Sequence, residues 1–553
     1  MSDDSPEAET RYAARLRAHS PKWLRELVTI AELAPVKEWA SALFFGLMGS
    51  FGTFYVMVNW LDLPAFFWML GSPAAFVGAT ALTLYFDTRH EVRASLKKRL
   101  AVANAAIEQQ SKEQEPPTSE KPAIPYAYNP RRSTFLRYTD NRHLITFGPT
   151  RSGKGATVIV QTLLLAPHSI ICIDPKGQNA AITKRHRATF SDVHLLNPFN
   201  EHGFGTVRFN PLAHLRIDQP NIVADVRSLA EALVIGDSAR EPHWADSARG
   251  LVAALTMHLI AKKGGDATLP EMRRLLTQPE PLFLETIGAM AKSDYPFIAQ
   301  PSSRFLHGTT EIKNILSNAI TQTDFLDDPA LIHVLSGSDF TMMDLKQKST
   351  TVYLILPARY LDAYARLFRL IITSAIDQLT SSPGGHQTLL VLDEFAALKS
   401  LDAISKAFGY AAGYNVQVWP FLQDLPQLKT IYPERWETFI ANAGLMQFFT
   451  PADLTTAKYL EERGGRKLDT RKSQTHSEIS ADQAAKGFTG VSESYAEEHV
   501  PLLPREETMS LGGDMQIVFF AGFHGAQPCQ RERYWRIPRL AGLYDPDPFH
   551  TSA

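Results

Sequence analysis

Only two cysteines occur in 553 residues, Cys172 and Cys529, far apart and in no paired or metal-type spacing. That scarcity excludes a disulfide scaffold and suits a reducing compartment. None of the 17 histidines falls in an HExxH or other compact metal pattern, and no GxSxG occurs. Zinc and serine-hydrolase chemistry therefore have no support. Excess charge is lacking too: 56 basic against 58 acidic side chains leave a net charge of −2. Bulk positive charge is then not the means of meeting nucleic acid, and any such contact must be local. A content of 44% hydrophobic and 21% charged residues excludes disordered and collagen-like classes. The length allows roughly three or four domains of about 150 residues with a sizeable core.

Charge is also locally absent. No charged residue lies between Glu38 and Asp62, nor from Leu63 to Phe86. Each stretch exceeds the ~20 residues a helix needs to cross ~30 Å of hydrocarbon, which predicts a transmembrane hairpin turning at Asp62. Trp60 and Trp68 near that turn fit an interfacial aromatic belt. Lys22, Arg25 and Lys37 precede the first span, and Arg89, Arg93, Lys97, Lys98 and Arg99 follow the second. Positive flanks on one side predict that both termini are cytoplasmic, with the hairpin barely emerging on the far side. Residues 107–125 are polar, proline-bearing and without apolar period, as expected of a linker to a cytoplasmic body.

Beyond the linker, the strand-like run His143 to Phe147 leads into Gly148-Pro-Thr-Arg-Ser-Gly-Lys-Gly155 and then a helix-capable segment from Ala156. Strand, glycine loop and helix in that order make a phosphate-binding loop. Gly148 and Gly153 let the backbone wrap an anion. The amides of Pro149-flanking Gly148, Thr150, Arg151, Ser152, Gly153, Lys154, Gly155 and Ala156 offer donors at a helix N-terminus, and Lys154 neutralises β and γ phosphates. One position departs from the usual pattern: Gly155 stands where Ser or Thr normally binds magnesium. Thr157, roughly 200° further around a helix, is predicted not to replace it. The apolar run 387–394 ends in Asp393 and Glu394, which predicts a buried parallel strand delivering Asp393 to Mg2+ and Glu394 to the attacking water of ATP hydrolysis. A third run, 416–423, ends in Gln423, a candidate γ-phosphate sensor, although Pro420 argues against a central strand. Further strands are expected at 169–174, 192–197, 351–357, 444–450 and 515–521, and their alternation with helices indicates an α/β parallel sheet.

The phosphate loop, Asp174-Pro-Lys-Gly177, Phe209-Asn-Pro-Leu212, Leu392-Asp-Glu-Phe395 and Gln423 with Gln427-Leu428 together resemble the TraG/TraD-type coupling proteins of type IV secretion, within the FtsK/HerA-like ring ATPases. The resemblance runs from about Tyr126 to Asp545 and agrees with the membrane hairpin. It implies a RecA-like motor domain interrupted by an all-α domain, a homo-hexamer, and ATP-driven delivery of relaxase-bound DNA or effector proteins to channel subunits. The family tolerates glycine at position 155. Gln178 departs from the frequent Glu after the Asp-Pro-Lys-Gly segment, and the short hairpin turn argues against extensive periplasmic contacts. The expected organisation is a cytoplasmic segment 1–38, the hairpin 39–86, a juxtamembrane linker 87–125, a nucleotide-binding domain in two parts, 126–220 and 345–553, and an all-α domain 221–344. Helical periods such as Ser247, Leu251, Leu255 and His258, or Leu316, Ile320 and Phe325, predict that last domain independently.

Lys184-Arg-His-Arg187 could line a DNA channel, but such a run at a helix end is more readily read as solvated charge favouring the dipole. Residues 470–494, rich in Ser and Thr, are expected as a surface excursion or flexible insertion. Arg463 and Arg466 are no better candidates than others for an arginine acting on a neighbour's nucleotide. The sequence thus points to a membrane-anchored ATPase motor. Two alternatives stand beside it: a nucleotide-switched membrane adaptor without processive transport and, less favoured, a chromosome-segregation translocase.

Overall fold

The computed structural model describes residues 122–130, 132–236, 242–306, 310–476, 491–523 and 525–549, so the two candidate spans lie outside it. Among the described residues no helix is long and apolar enough to cross a membrane. Strands β1 (Ile124–Asn129) and β2 (Thr134–Tyr138) pair as an antiparallel hairpin ahead of the main sheet. The apolar runs then supply β3 (His143–Phe147), β4 (Ser169–Asp174), β5 (Asp192–Leu196), β6 (Thr350–Ile355), β7 (Thr388–Leu392), β8 (Val416–Leu422) and β9 (Ala443–Phe449). These are mutually parallel. Next come β10 (Arg466–His476) and β11 (Val491–Pro501), a ribbon to themselves, and β12 (Met515–Phe520) and β13 (Gln527–Gln530), which extend the main sheet antiparallel beyond β9.

The nine-stranded order is β13-β12-β9-β3-β8-β7-β4-β6-β5. Strands β3, β4, β6, β7, β8 and β9 are buried at every residue, as parallel strands covered on both faces must be. Leu144, Ile170, Cys172, Val391 and Trp419 pack in one core cluster across this sheet. Both cysteines are free and buried. Parallel strands all end on one edge, so the loops after β3, β8, β7 and β4 converge there.

Between residues 221 and 344 every described regular element is a helix, including Ile222–Leu233, Pro242–Lys263, Leu269–Leu276, Glu280–Ala291 and Thr310–Gln322. Leu251 and Leu255 of the second are fully buried and His258 nearly so. In Thr310–Gln322 the buried stripe is Ile315 and Ala319, with Leu316 and Ile320 at its margin.

One expectation is corrected. Pro420 lies in a central strand, flanked by β7 and β3. The β3–β8 ladder pairs only Thr146 with Phe421 and Phe147 with Leu422, so the missing proline N–H breaks nothing. Side chains close the rest of that seam: Val418 N–H donates to His143 Nδ1 at 3.1 Å, Trp419 Nε1 to Thr146 Oγ1 at 2.9 Å, and Gln417 Nε2 to the carbonyls of Asp140 and Arg142. The Ser/Thr-rich excursion, in turn, is framed by regular structure. Its flanks form the antiparallel ribbon in which Arg466 pairs with Pro501 and His476 with Val491.

Candidate nucleotide-binding site

The loop after β3 folds tightly around its own backbone. Gly148 N–H donates to the Leu422 carbonyl at the end of β8, and Ser152 N–H to the Pro149 carbonyl. Gly148 cannot carry a side chain: a Cβ there would lie 2.8 Å from Ser152 Oγ and 3.0 Å from the Phe449 ring. Gly153 takes φ +89°, and Arg151, at the exposed tip, φ +60°. Positive φ at Arg151 and Gly153, on either side of Ser152, gives the alternating torsions by which main-chain amides can turn toward a common concavity. Lys154 Nζ donates to the carbonyls of Gly148 and Pro149, folding its ammonium over the mouth of the loop. Burial lowers the Lys154 pKa, while Asp393 and Glu394 oppose that shift. Ser152 Oγ is buried without a partner among the described residues.

The helix that follows opens with a π-turn, Gly155–Ile159, before continuing as Val160–Leu165. Thr157 Oγ1 donates to the Gly153 carbonyl at 2.9 Å, so its hydroxyl is engaged in closing the loop.

Asp393 and Glu394 follow β7 directly. Asp393 Oδ1 accepts the Glu394 N–H at 3.2 Å, and Glu394 adopts φ +58°, an uncommon left-handed conformation that leaves it exposed at the head of the short helix Phe395–Leu398. Burial raises the Asp393 carboxyl to about 6; the Lys154 ammonium pulls it down and the Glu394 charge pushes it up. Gln423 is exposed one residue past β8, its N–H donating to Gln427 Oε1 at 2.9 Å. Asp424 then caps the helix Leu425–Ile431 through the Gln427 amide. Lys154, Gln423, Asp393 and Glu394 therefore come from the adjacent strand ends β3, β8 and β7.

Two contributors had no assigned role in the sequence. Asp174 ends β4 beside β7, fully buried, and its Oδ2 accepts the Ala180 N–H at 2.8 Å at the start of the helix Gln178–Arg187. Arg531, just past β13, reaches the phosphate loop itself: its guanidinium donates to the Ser152 carbonyl at 2.8 Å. The Asp174-Pro-Lys-Gly177 segment was visible as a motif; nothing around Arg531 signals its destination.

The basic run Lys184 to Arg187 is neither a free DNA surface nor a wholly solvated helix end. Arg187 is fully buried and donates to Thr351 Oγ1 and to the carbonyls of Leu163, Ala166 and His168. Arg185 pairs with Asp545 at 2.6 Å, and Lys184 Nζ stands 3.3 Å from the Phe204 ring centre.

A family model described as type IV secretory system conjugative DNA transfer matches residues 96–549. The chain belongs to this family of coupling proteins. The coupling protein is 26% identical over 436 residues to the conjugal transfer protein TraG of Escherichia coli, covering 71% of its own chain and 68% of TraG. It is 27% identical over 426 residues to VirD4 of Agrobacterium fabrum, covering 74% and 61% respectively. Among solved structures, the unbound bacterial conjugative coupling protein TrwBdeltaN70 superposes with a TM-score of 0.57 at 18% identity, over 75% of this chain and 90% of that one. TrwB in complex with ADP and Mg2+ gives 0.56 at 19% identity over the same shares. The fold of the coupling protein is thus TrwB-like, an α/β fold built on a large mixed sheet.

Proposed function

We propose that this coupling protein is a membrane-anchored ATPase that recruits conjugative DNA with its relaxase, or effector proteins, to a type IV secretion channel and drives their transfer. The observation that carries the reading is the convergence of Lys154, Gln423, Asp393 and Glu394 at neighbouring strand ends beside a phosphate loop. The loop fits a triphosphate on its own geometry: a glycine where a Cβ would clash, an ammonium folded over carbonyls it can release, and the partnerless Ser152 Oγ. That TrwB was crystallised with ADP and Mg2+ and with a non-hydrolysable ATP analogue supports the same assignment here.

ATP as substrate would bring the transferable γ-phosphoryl group, and Mg2+ would offset part of the phosphate charge. Lys154 leaves the Gly148 and Pro149 carbonyls to meet the phosphate oxygens, and the loop amides donate to them. Asp393 would hold the cation, its carboxylate standing just past β7 within electrostatic reach of Lys154. Glu394 accepts the proton of the attacking water, and Gln423 registers the presence of the γ-phosphate.

The apolar stretches 39–61 and 63–86 support an inner-membrane hairpin with the ATPase body in the cytoplasm. Reporters fused at either end are expected to be cytoplasmic; a periplasmic signal at residue 125 overturns that topology. A hexameric ring with ATP at subunit boundaries predicts an ATPase rate per subunit that rises steeply with protein concentration and again with DNA. The test is turnover of the detergent-solubilised full chain against concentration, with and without single- and double-stranded DNA. A rate independent of both sinks the DNA ring motor. Nucleotide binding with no substrate-stimulated turnover favours the adaptor.

A further inference from the structure

Arg531 is 3% exposed, and the three main-chain carbonyls it serves belong to two segments far apart in sequence. Its NH1 donates to Ser152 at 2.8 Å, NH2 to Gly513 at 2.7 Å and Nε to Met515 at 3.0 Å. The guanidinium also lies 3.7 Å from the centre of the Phe449 ring, the ring against which Gly148 packs without room for a Cβ. The next residue repeats the link, since the Glu532 carbonyl accepts Gln161 Nε2 from the helix behind the loop. Arg531 therefore forms the outer wall of the phosphate loop, with Phe449 between it and Gly148.

In a planar trans peptide the carbonyl and the following N–H point to opposite sides. A Ser152 carbonyl drawn outward to Arg531 turns the Gly153 N–H away from that wall, toward the inside of the loop where Lys154 folds. A buried guanidinium behind the loop also adds fixed positive charge to a site for polyphosphate. Its planar fork reaches three carbonyls at once, which a lysine ammonium on a flexible stem cannot reproduce.

We propose that Arg531 is a positioning residue of the phosphate loop: from just past the last strand of the sheet it sets the direction of the Gly153 amide and backs the triphosphate site with charge. This inference rests on the reading of the loop as an ATP site. It also makes the far C-terminal part of the sheet a requirement for nucleotide binding.

The test compares wild type, Arg531→Met, Arg531→Lys and Gln161→Ala as detergent-solubilised full chains. Each is titrated with a fluorescent ATP analogue, competed by ATP and by adenosine, and followed by thermal unfolding. Arg531→Met is expected to weaken ATP at least tenfold while adenosine competition changes less than twofold. Arg531→Lys should recover part of the loss, because it restores charge without the fork. Gln161→Ala should leave ATP affinity within twofold of wild type, since it loses a bond to the same segment without freeing Ser152. ATP affinity within twofold of wild type for Arg531→Met overturns the proposal, even if its melting temperature falls. Should Arg531→Met fail to unfold cooperatively, an unchanged ATP affinity in Arg531→Lys overturns it instead. A wild-type chain that binds no ATP overturns the ATP reading, an outcome distinct from wild type and variants binding alike.

Discussion

Asp174 and Asp393 stand side by side at the ends of neighbouring strands, each one residue past the paired Ile173 and Leu392. Burial lifts both carboxyls: Asp174 to about 7, with the Asp393 charge adding to the rise, and Asp393 to about 6, with Glu394 raising and Lys154 lowering it. Asp174 keeps its place by accepting backbone amides of the following helix. Asp393 faces the phosphate loop, where a cation would relieve it.

A pH signature follows from those two values. Both folded pKa values exceed the ordinary 3.8, so between about pH 4 and pH 7 these two carboxyls hold more protons in the folded chain than in the unfolded one. Their share of the stability of the nucleotide-free protein should therefore fall as pH rises through that window, while the buried His143, His168 and His214, with pKa values lowered by burial, act in the opposite direction. Asp393→Asn removes the Asp393 share and should stabilise the free protein at pH 8 by on the order of 1–3 kcal/mol, the gain disappearing near pH 4. Stabilisation by Mg2+ with ATP should fade below about pH 6 in wild type and be weak at every pH in the variant. Thermal unfolding across pH 4–8, with and without Mg2+ and ATP, checks both trends. A stability difference between wild type and Asp393→Asn that stays the same from pH 4 to pH 8 contradicts the assignment.

Binding and hydrolysis should separate between Lys154 and Glu394. Lys154→Ala removes the ammonium over the loop mouth and is expected to abolish measurable ATP binding. Glu394→Gln keeps size and hydrogen-bonding reach but cannot accept a proton, so binding should stay within a few-fold of wild type while turnover falls by about a hundredfold or more. Single-turnover hydrolysis beside nucleotide titration reads the two effects independently. Equal turnover in wild type and Glu394→Gln removes Glu394 from the base role.

How far the sequence could be read depended on where each residue's partners lie. The strands β3, β4 and β7 are legible because burial on both faces leaves uninterrupted apolar runs, and the phosphate loop is legible because its constraints are local. Pro420 misled because the rule against proline in a central strand presumes a full ladder. Here Gln417 and Trp419 side chains, with His143, close a seam whose ladder spans two residue pairs. Arg187 looked like part of a charged helix end because its acceptors at Leu163, Ala166, His168 and Thr351 come from two other segments. Arg531 was invisible for the same reason, the more so because β13 is four residues long and has no alternation to betray it.

The burial of Arg187 separates a structural cation from its exposed neighbours. Arg187→Ala would strand three buried carbonyls and a hydroxyl and leave a cavity, a loss of about 3 kcal/mol or more. Arg185→Ala, which breaks the exposed contact with Asp545, should cost no more than about 1 kcal/mol. Neither substitution is expected to change the salt dependence of DNA binding. Denaturant titration measures the first two effects, and DNA titration at two salt concentrations the third. A shallower salt slope for Arg185→Ala would place that residue on the nucleic-acid path.

Gly155 offers the sharpest test of the magnesium account. Its position is where a hydroxyl usually meets the cation, and Thr157, two residues on, spends its hydroxyl on the Gly153 carbonyl. A Cβ built at Gly155 meets nothing within 4 Å, and its φ lies outside the left-handed range, so a side chain fits without strain. Replacing glycine near a helix start also lowers the entropy of the unfolded chain, worth about 0.4–1 kcal/mol in favour of folding. Gly155→Thr should therefore fold at least as well as wild type and lower the Mg2+ concentration needed for half-maximal ATP binding severalfold. Gly155→Ala gains the backbone effect without the hydroxyl and should leave the Mg2+ requirement unchanged. ATP binding measured against Mg2+ at fixed pH 8 compares the three chains. Equal Mg2+ requirements in Gly155→Thr and wild type would mean that the cation does not pass within reach of position 155, and that Asp393 and water hold it elsewhere.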